Sequence, residues 1–191
     1  MKMDMPDVIF DNYMLRTLKR SDYLDYFEIG KNSHNIKFLT WRAFNKKKEA
    51  KEMLEIYMRR ELKHEPIGYA IVDLKTNHMI GIIEFHTFDY LENQAEVGYL
   101  LREDYWNLGI MSRALGKLIE VGFDYLELDA IIVRSLRENI ASIKVIKNNN
   151  LEYVDTEKNA HYHEKTKTLH DILTYKITKE RYYESKTKGN L

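Results

Sequence analysis

Apolar positions fall into two rhythms along this chain, one with the period of a strand and one with the period of a helix. Residues 13–18 read as a short strand, and Ser21 reads as the N-cap of a helix over residues 22–31. Residues 32–45 are irregular and carry Phe38, Trp41 and Phe44. A charged helix is predicted over residues 46–63, with Met53, Leu54, Tyr57 and Leu62 as its apolar members and His64-Glu65-Pro66 as its end. Strands over residues 67–74 and 79–88 flank the turn Lys75-Thr76-Asn77-His78 as a hairpin. A loop at residues 89–93 leads to a third strand of the same kind at 94–102.

The period then changes. After a loop at residues 103–108 with Tyr105 and Trp106, the positions Met111, Leu115, Leu118, Ile119, Phe123 and Leu126 mark an amphipathic helix from Gly109 onward. Residues 130–133 form a short buried strand, and residues 139–149 a helix with Ile140, Ile143, Val145 and Ile146 apolar. Closing strands are expected at 151–157 and 169–177, then a short helix ending near Tyr183 and a frayed tail over 186–191. An antiparallel meander joined to a strand-helix-strand unit predicts an α+β fold, with a mixed, mostly antiparallel sheet and helices on both faces.

Composition narrows the class. With 191 residues, one domain over residues 1–191 is expected. Cysteine is absent, which excludes disulfides, thiolate metal sites and a cysteine nucleophile. Thirty basic residues balance thirty acidic ones, so no overall field draws the chain to nucleic acid or to an anionic membrane. The start, Met-Lys-Met-Asp-Met-Pro, has no apolar run behind it and is not read as a secretory signal. No apolar run is long enough to span a bilayer, and a cytoplasmic location is expected. His161-x-His163, with His170 close in sequence, has metal-ligand spacing, but no acidic cluster joins it and no metal is expected.

The most informative stretch is the strand-loop-helix from Ala95 to Leu126. A loop feeding a helix N-terminus presents unpaired backbone N–H groups, which together with the helix dipole suit a phosphate. Gly109 stands where an anion must approach the backbone closely. The glycine pattern of dinucleotide-binding loops and the Gly-Lys-Ser/Thr of P-loops are both missing. On these residues alone the plain loop glycine is the favoured reading of Gly109.

Ala95-Glu96-Val97-Gly98-Tyr99-Leu100-Leu101 followed by Tyr105-Trp106-Asn107-Leu108-Gly109-Ile110-Met111 resembles the signature strand and pyrophosphate loop of GNAT-superfamily acyltransferases. It is most similar to the branch containing the ribosomal-protein N-terminal alanine acetyltransferases. Asn139-Ile140-Ala141-Ser142-Ile143-Lys144-Val145-Ile146 resembles that family's Asn-x-x-Ser helix, and His170-Asp171-Ile172-Leu173-Thr174-Tyr175 its last strand. The likeness covers nearly the whole chain, in the family's element order. Departures are Asn107 and Leu108 where Gly-Lys or Gly-Gln is common, Met111 for a small residue, and Asn150 for the glycine after the second helix.

The resemblance implies a GNAT fold with a splayed central strand pair, and acetyl-CoA as cosubstrate. It places pantetheine along the backbone of Tyr99, Leu100 and Leu101. The pyrophosphate would lie on the amides of Trp106, Asn107, Leu108, Gly109, Ile110, Met111 and Ser112, with Asn139 touching the pantetheine arm. Asn139 equally suits an N-cap, and the two roles are compatible.

The chemistry implied is acyl transfer from a thioester to a neutral amine. An α-amine near pKa 8 is about one-tenth neutral at pH 7, whereas a lysine is only about one part in 2,500 neutral, so an α-amine asks little of a base. The resemblance ranks Glu96 first as that base, because the branch often carries a glutamate before Val-Gly-Tyr, and Glu84 second; on the residues alone a salt-bridged or solvent-facing strand residue is the favoured reading of either. A backbone N–H near Tyr99 would stabilise the oxyanion. The superfamily's frequent thiolate-protonating tyrosine is replaced by Ile146, which leaves Ser142 as the hydroxyl in reach, or as a helix serine bonded to its own backbone.

The expected acceptor is the α-amine of a protein or peptide N-terminus, with a small amine (polyamine, amino acid or amino sugar) as the alternative. Its pocket would come from residues 32–45, 85–93 and 159–167. Monomer and homodimer are both open. A CoA-binding module without catalysis, and a scaffold whose groove holds a peptide, are the readings from other classes.

Overall fold

The computed structural model describes residues 5–39, 41–66, 68–163 and 167–189, apart from the side chains of Glu61 and His163. Among the described residues there are five α-helices and eight strands. The strands are β1 (Val8–Phe10), β2 (Tyr13–Thr17), β3 (Tyr69–Asp73), β4 (His78–Asp89), β5 (Gln94–Leu101), β6 (Ala130–Leu136), β7 (Glu152–His163) and β8 (Thr168–Thr178). They form one mixed sheet in the order β1-β2-β3-β4-β5-β6-β8-β7. The helices are α1 (Tyr23–Gly30), α2 (Lys47–Met58), α3 (Ile110–Asp124), α4 (Ile140–Lys147) and α5 (Lys179–Thr187).

The chain divides into two compact units. The first comprises Met1–Glu84 and Tyr99–Ala114. Its core gathers Leu18, Tyr26, Ile29, Ile36, Phe44, Leu54, Val72, Met79, Ile82 and Leu100. Phe44 stacks on Trp41 with ring centroids 4.8 Å apart, and Tyr26 meets Phe44 edge-on at 5.3 Å. The second unit comprises Phe85–Gly98 and Leu115–Leu191. There α3 packs so closely that a Cβ on Gly122 would lie 2.7 Å from Ile131 and 2.9 Å from Phe85. Phe85, Ala95, Ile131 and Val133 are all buried.

Several boundaries differ from the sequence reading for physical reasons. The strand β1 was not expected; three residues are too few to show a period, and only pairing with β2 defines it. Asp22, not Ser21, opens α1. Its carboxylate accepts the Lys19 N–H at 2.8 Å and is held by Arg16 through two 2.8 Å bonds, so the chain winds as a 3₁₀ turn over Arg20–Asp22 first. The second helix stops at Met58, and Arg59–Lys63 is 3₁₀, which leaves Leu62 82% exposed rather than on an apolar face. The strand expected at 67–74 is described over Tyr69–Asp73, and Ile67 lies outside the described residues. The last strands run beyond the expected limits, because their outer ends carry polar, exposed residues with no apolar rhythm to read. The final helix continues to Thr187, with Lys186 over the Tyr182 ring at 4.7 Å; the rest of the expected tail is described only to residue 189.

Candidate active site

In the first unit the chain leaves β5 and turns through a short 3₁₀ segment, Glu103–Tyr105, before α3. Four contacts fix this loop. The Trp106 indole N–H donates to the Leu101 carbonyl at 2.8 Å, and the Tyr105 hydroxyl donates to Asp73 at 2.9 Å. Glu103 accepts from Asn32 Nδ2 at 2.9 Å and pairs with His34 Nδ1 at 3.1 Å. Burial would raise the Asp73 carboxyl, but bonds from the Lys75 N–H and the Tyr105 hydroxyl outweigh it and hold it below the usual range.

Beyond Trp106 the backbone turns left-handed twice, at Asn107 (φ 60°) and Gly109 (φ 71°). Asparagine tolerates that conformation better than most residues, so Asn107 serves where relatives of this motif carry glycine. The first i→i−4 bond of α3 is Arg113 N–H to Gly109 C=O, at 3.2 Å. The amides of Ile110, Met111 and Ser112 therefore precede the helix's own ladder, at its positive dipole end. The Ile110 and Met111 side chains are buried, 1% and 7% exposed, so Met111 leaves the loop and enters the core. Leu108 is exposed. The Arg113 guanidinium folds back over the loop, bonding the Leu108 carbonyl at 3.1 Å and Asp11 at 2.6 Å.

Tyr99, Leu100 and Leu101 lie on β5, with Leu100 and Leu101 buried. The Leu100 carbonyl comes so near β4 that a Cβ on Gly81 would lie 2.5 Å from it. One lone pair of the Leu101 carbonyl is already engaged by Trp106, a contact invisible in the sequence.

In the second unit β5 runs parallel to β6 over three residue pairs, Gln94↔Ala130, Ala95↔Ile131 and Glu96↔Ile132. Past these pairs β5 continues to Leu101, while β6 continues to Leu136 in antiparallel register with β8. Burial raises the Glu96 carboxyl above its ordinary range; Arg134 opposes this and Glu157 adds to it. Arg134 pairs with Glu157. Neither was singled out from sequence, although strand alternation on β6 places Arg134 on the same face as Ile132.

Glu84, the second-ranked base, is enclosed. Its side chain is 12% exposed and pairs with Arg60, whose guanidinium lies 5.0 Å from the Tyr57 ring. Burial raises the Glu84 carboxyl, against Arg60 and a Tyr57 hydrogen bond that lower it. Burial likewise raises the Tyr57 and Tyr26 hydroxyls. Glu84 is a fixed member of this polar group, whereas Glu96 is the less enclosed carboxylate.

Asn139 caps α4, its Oδ1 accepting the Ser142 N–H at 3.2 Å. Ser142 is 9% exposed, and Ile146 is fully buried where a tyrosine is common in this motif. Asn150 adopts φ 58°, so the turn after α4 survives without glycine.

Of the segments expected to shape the acceptor pocket, residues 32–45 border a pocket of about 510 Å³ lined by Trp41, Arg42, Phe44, Asn45, Met53 and Ile56. Thr40 of this segment, and residues 164–166 of the segment 159–167, lie outside the described residues. Among the described residues no three His, Asp or Glu side chains gather as metal ligands; the His163 side chain lies outside them. No helix among the described residues is long and apolar enough to cross a membrane.

A mixed sheet with one parallel pair, a loop that turns left-handed into a helix N-terminus, and an Asn-capped helix after the next strand define an acyltransferase fold. The family model of the acetyltransferase (GNAT) domain matches residues 12–152, and the chain belongs to this family. It is an acetyl-CoA-dependent N-acetyltransferase. The chain is 27% identical over 146 residues to the uncharacterized N-acetyltransferase p20 of Bacillus licheniformis, covering 76% of this chain and 81% of that one. Among solved structures it resembles a ribosomal-protein-S5-alanine acetyltransferase from Vibrio fischeri (TM-score 0.79, 20% identity, 93% and 98% of the two chains). It also resembles a spermidine N-acetyltransferase from Vibrio cholerae in complex with CoA and spermine (TM-score 0.78, 15% identity, 90% and 98%).

Proposed function

We propose that this enzyme acetylates the α-amine of a protein or peptide N-terminus in the cytoplasm, with Glu96 as general base and Ser142 as the hydroxyl beside the departing sulfur. The observation that carries the cofactor reading is the loop before α3. Two left-handed residues, Asn107 and Gly109, lead into amides at Ile110, Met111 and Ser112 that precede the first helical bond. Side chains above those amides would obstruct a phosphate, and the two nearest are turned into the core. These residues fit a diphosphate. Asn139, already a cap through Oδ1, keeps its Nδ2 group for a carbonyl of the pantetheine arm.

When bound, the cosubstrate supplies an acetyl thioester. The chain's residues do the rest. Glu96, with its affinity for protons raised by burial, takes the proton of the acceptor ammonium directly or through one water. A base with a raised pKa is better matched to neutral pH than an exposed carboxylate. Ser142 offers a hydroxyl to the sulfur, with Ile146 leaving no stronger acid at the neighbouring turn.

The test is thiol release from acetyl-CoA with three acceptor sets: short peptides with free N-termini, polyamines, and amino sugars. Turnover confined to peptides, abolished by N-terminal blocking, is expected. Turnover confined to polyamines or amino sugars replaces the acceptor and leaves the cofactor reading intact. Glu96→Gln should lower kcat about 100-fold or more on the best acceptor. Ser142→Ala should lower it less; full turnover in both would refute the two catalytic assignments.

A further inference from the structure

The second unit carries a row of charge across one sheet face, of which the acetyl-transfer reading uses only Glu96. Glu96 is paired in register with Ile132 on β6, so their side chains share a face. Two residues on, Arg134 returns to that face. Arg134 stands opposite Thr174 of β8, and Leu136 stands opposite Ile172. Ile172 in turn stands opposite Glu157 of β7. The register therefore sets Glu96, Arg134 and Glu157 on one face, diagonally across four strands. The opposite face is closed by α3, which presses Gly122 against Phe85 and Ile131. The outcome is a carboxylate, a guanidinium and a second carboxylate in line, with the guanidinium and the second carboxylate in direct contact.

We infer that Arg134 and Glu157 are positioning residues for Glu96: Arg134 supplies the opposing charge on the face it shares with Glu96, and Glu157, ion-paired with Arg134, restrains it from closing fully onto that carboxylate. This rests on the reading of Glu96 as the base. The physics is a three-charge balance. A guanidinium near a half-buried carboxylate favours its charged form, and a second carboxylate disfavours it. Glu157 acts twice, by direct repulsion and by taking hydrogen bonds that Arg134 would otherwise give to Glu96. The base stays available at neutral pH, yet is not locked in a bidentate pair that would remove its affinity for a proton.

Other charged or titratable groups face this row. Lys176 on β8, opposite Ile132, is engaged with Gln94 Oε1 at 3.0 Å. Asp155 on β7 stands opposite Thr174, and Glu152 stands opposite Lys176. Glu152 is paired with Arg181 of α5. On β4, alternation from buried Phe85 puts His86 on the face away from α3, where Nδ1 bonds the Thr87 hydroxyl at 2.8 Å. The charges that act on the Glu96 carboxyl are Arg134 and Glu157.

The balance predicts shifts of opposite sign, which a merely structural role would not produce. The assay is the pH dependence of kcat/KM on the best acceptor. Its acidic limb is compared with the Glu96 carboxyl titration, followed by carbon NMR of glutamate-labelled protein. Arg134→Met should move both the limb and the Glu96 titration upward by about one pH unit. Arg134→Lys should restore part of that shift. Glu157→Gln should move both downward by about half a unit. Both side chains are partly exposed, 35% and 48%, so these variants should fold. Titrations that stay put, or that move the same way in both variants, overturn the inference. If Glu96→Gln keeps its rate and acidic limb, the base assignment fails, and the NMR shifts alone decide the coupling. If Glu96→Gln loses its rate while Arg134→Met leaves limb and titration unmoved, the base assignment stands and the coupling falls.

Discussion

Gly81 sits where β4 passes closest to β5. A Cβ added there would lie 2.5 Å from the Leu100 carbonyl oxygen, 3.1 Å from Leu101 Cδ1 and 3.3 Å from Ile71 Cδ1. The nearest ordinary C···O separation is about 3.3 Å, so Gly81→Ala creates an overlap of about 0.8 Å with backbone, which cannot rotate away. Both side-chain neighbours are in the buried core and have little room to yield. Overpacking of this kind costs about 1–3 kcal/mol. At about 2 kcal/mol, a chain of this size should lose about 4–8 °C in Tm. Relief of the overlap pushes β5 away from β4 at Tyr99–Leu101, the stretch proposed to pair with pantetheine, so the KM for acetyl-CoA should rise together with the loss of stability. The measurements are thermal unfolding by circular dichroism and initial rates against acetyl-CoA concentration. Gly116→Ala is the control, because its Cβ meets only the Asn149 side-chain oxygen, at 3.0 Å, and alanine favours the helix. An alanine at position 81 that melts within about 1 °C of the parent would refute the packing argument. A clear fall in Tm with an unchanged KM would leave the packing intact and refute the placing of pantetheine.

Three further outcomes are expected. Asn139→Ser should keep the helix cap and stability within a few tenths of a kcal/mol, yet raise the KM for acetyl-CoA, whereas Asn139→Ala should also cost about 1 kcal/mol in denaturant unfolding; equal KM in serine and asparagine forms would reduce the residue to a cap. Tyr105→Phe removes a hydrogen bond to Asp73, whose carboxyl is held below its ordinary range, so the stability it contributes is present above the unfolded carboxyl pKa of about 4 and is lost as pH falls through the lower folded value. Unfolding from pH 7 to pH 2 should show a difference of about 1 kcal/mol that narrows at the acid end, and a constant gap would contradict this. Gly109→Ala forces alanine into φ 71° and places its Cβ 3.0 Å from Arg113 Nη1, so it should destabilise by about 1 kcal/mol and weaken acetyl-CoA binding measured by calorimetry, while Gly109→Asn should be milder.

The candidate site shows where local reading stops. The loop before α3, the cap at Asn139 and the turn at Asn150 could be read from sequence because each depends on residues a few positions apart. The bond from Ser142 to Asn139 is of this kind, spanning three positions. Glu84 and Glu96 could not be ranked on physical grounds in the same way. Each is a lone acid between apolar strand neighbours. What separates them is that Arg60 arrives against Glu84 from the 3₁₀ segment after α2, while Glu96 shares a sheet face with Arg134 and Glu157. Those partners come from 24 to 61 positions away, so no periodicity announces them.

The sequence by itself determined the order and type of the main elements, since apolar spacing and turn residues act over one or two helical turns. It also determined the family, through motifs that lie on contiguous stretches. Only the tertiary structure decided that β1 exists, that α2 ends at Met58, and which carboxylate is enclosed. The reason is common to all three. Each depends on what a side chain or a short strand meets across the sheet or under a helix, and that is set by packing between segments distant in the chain.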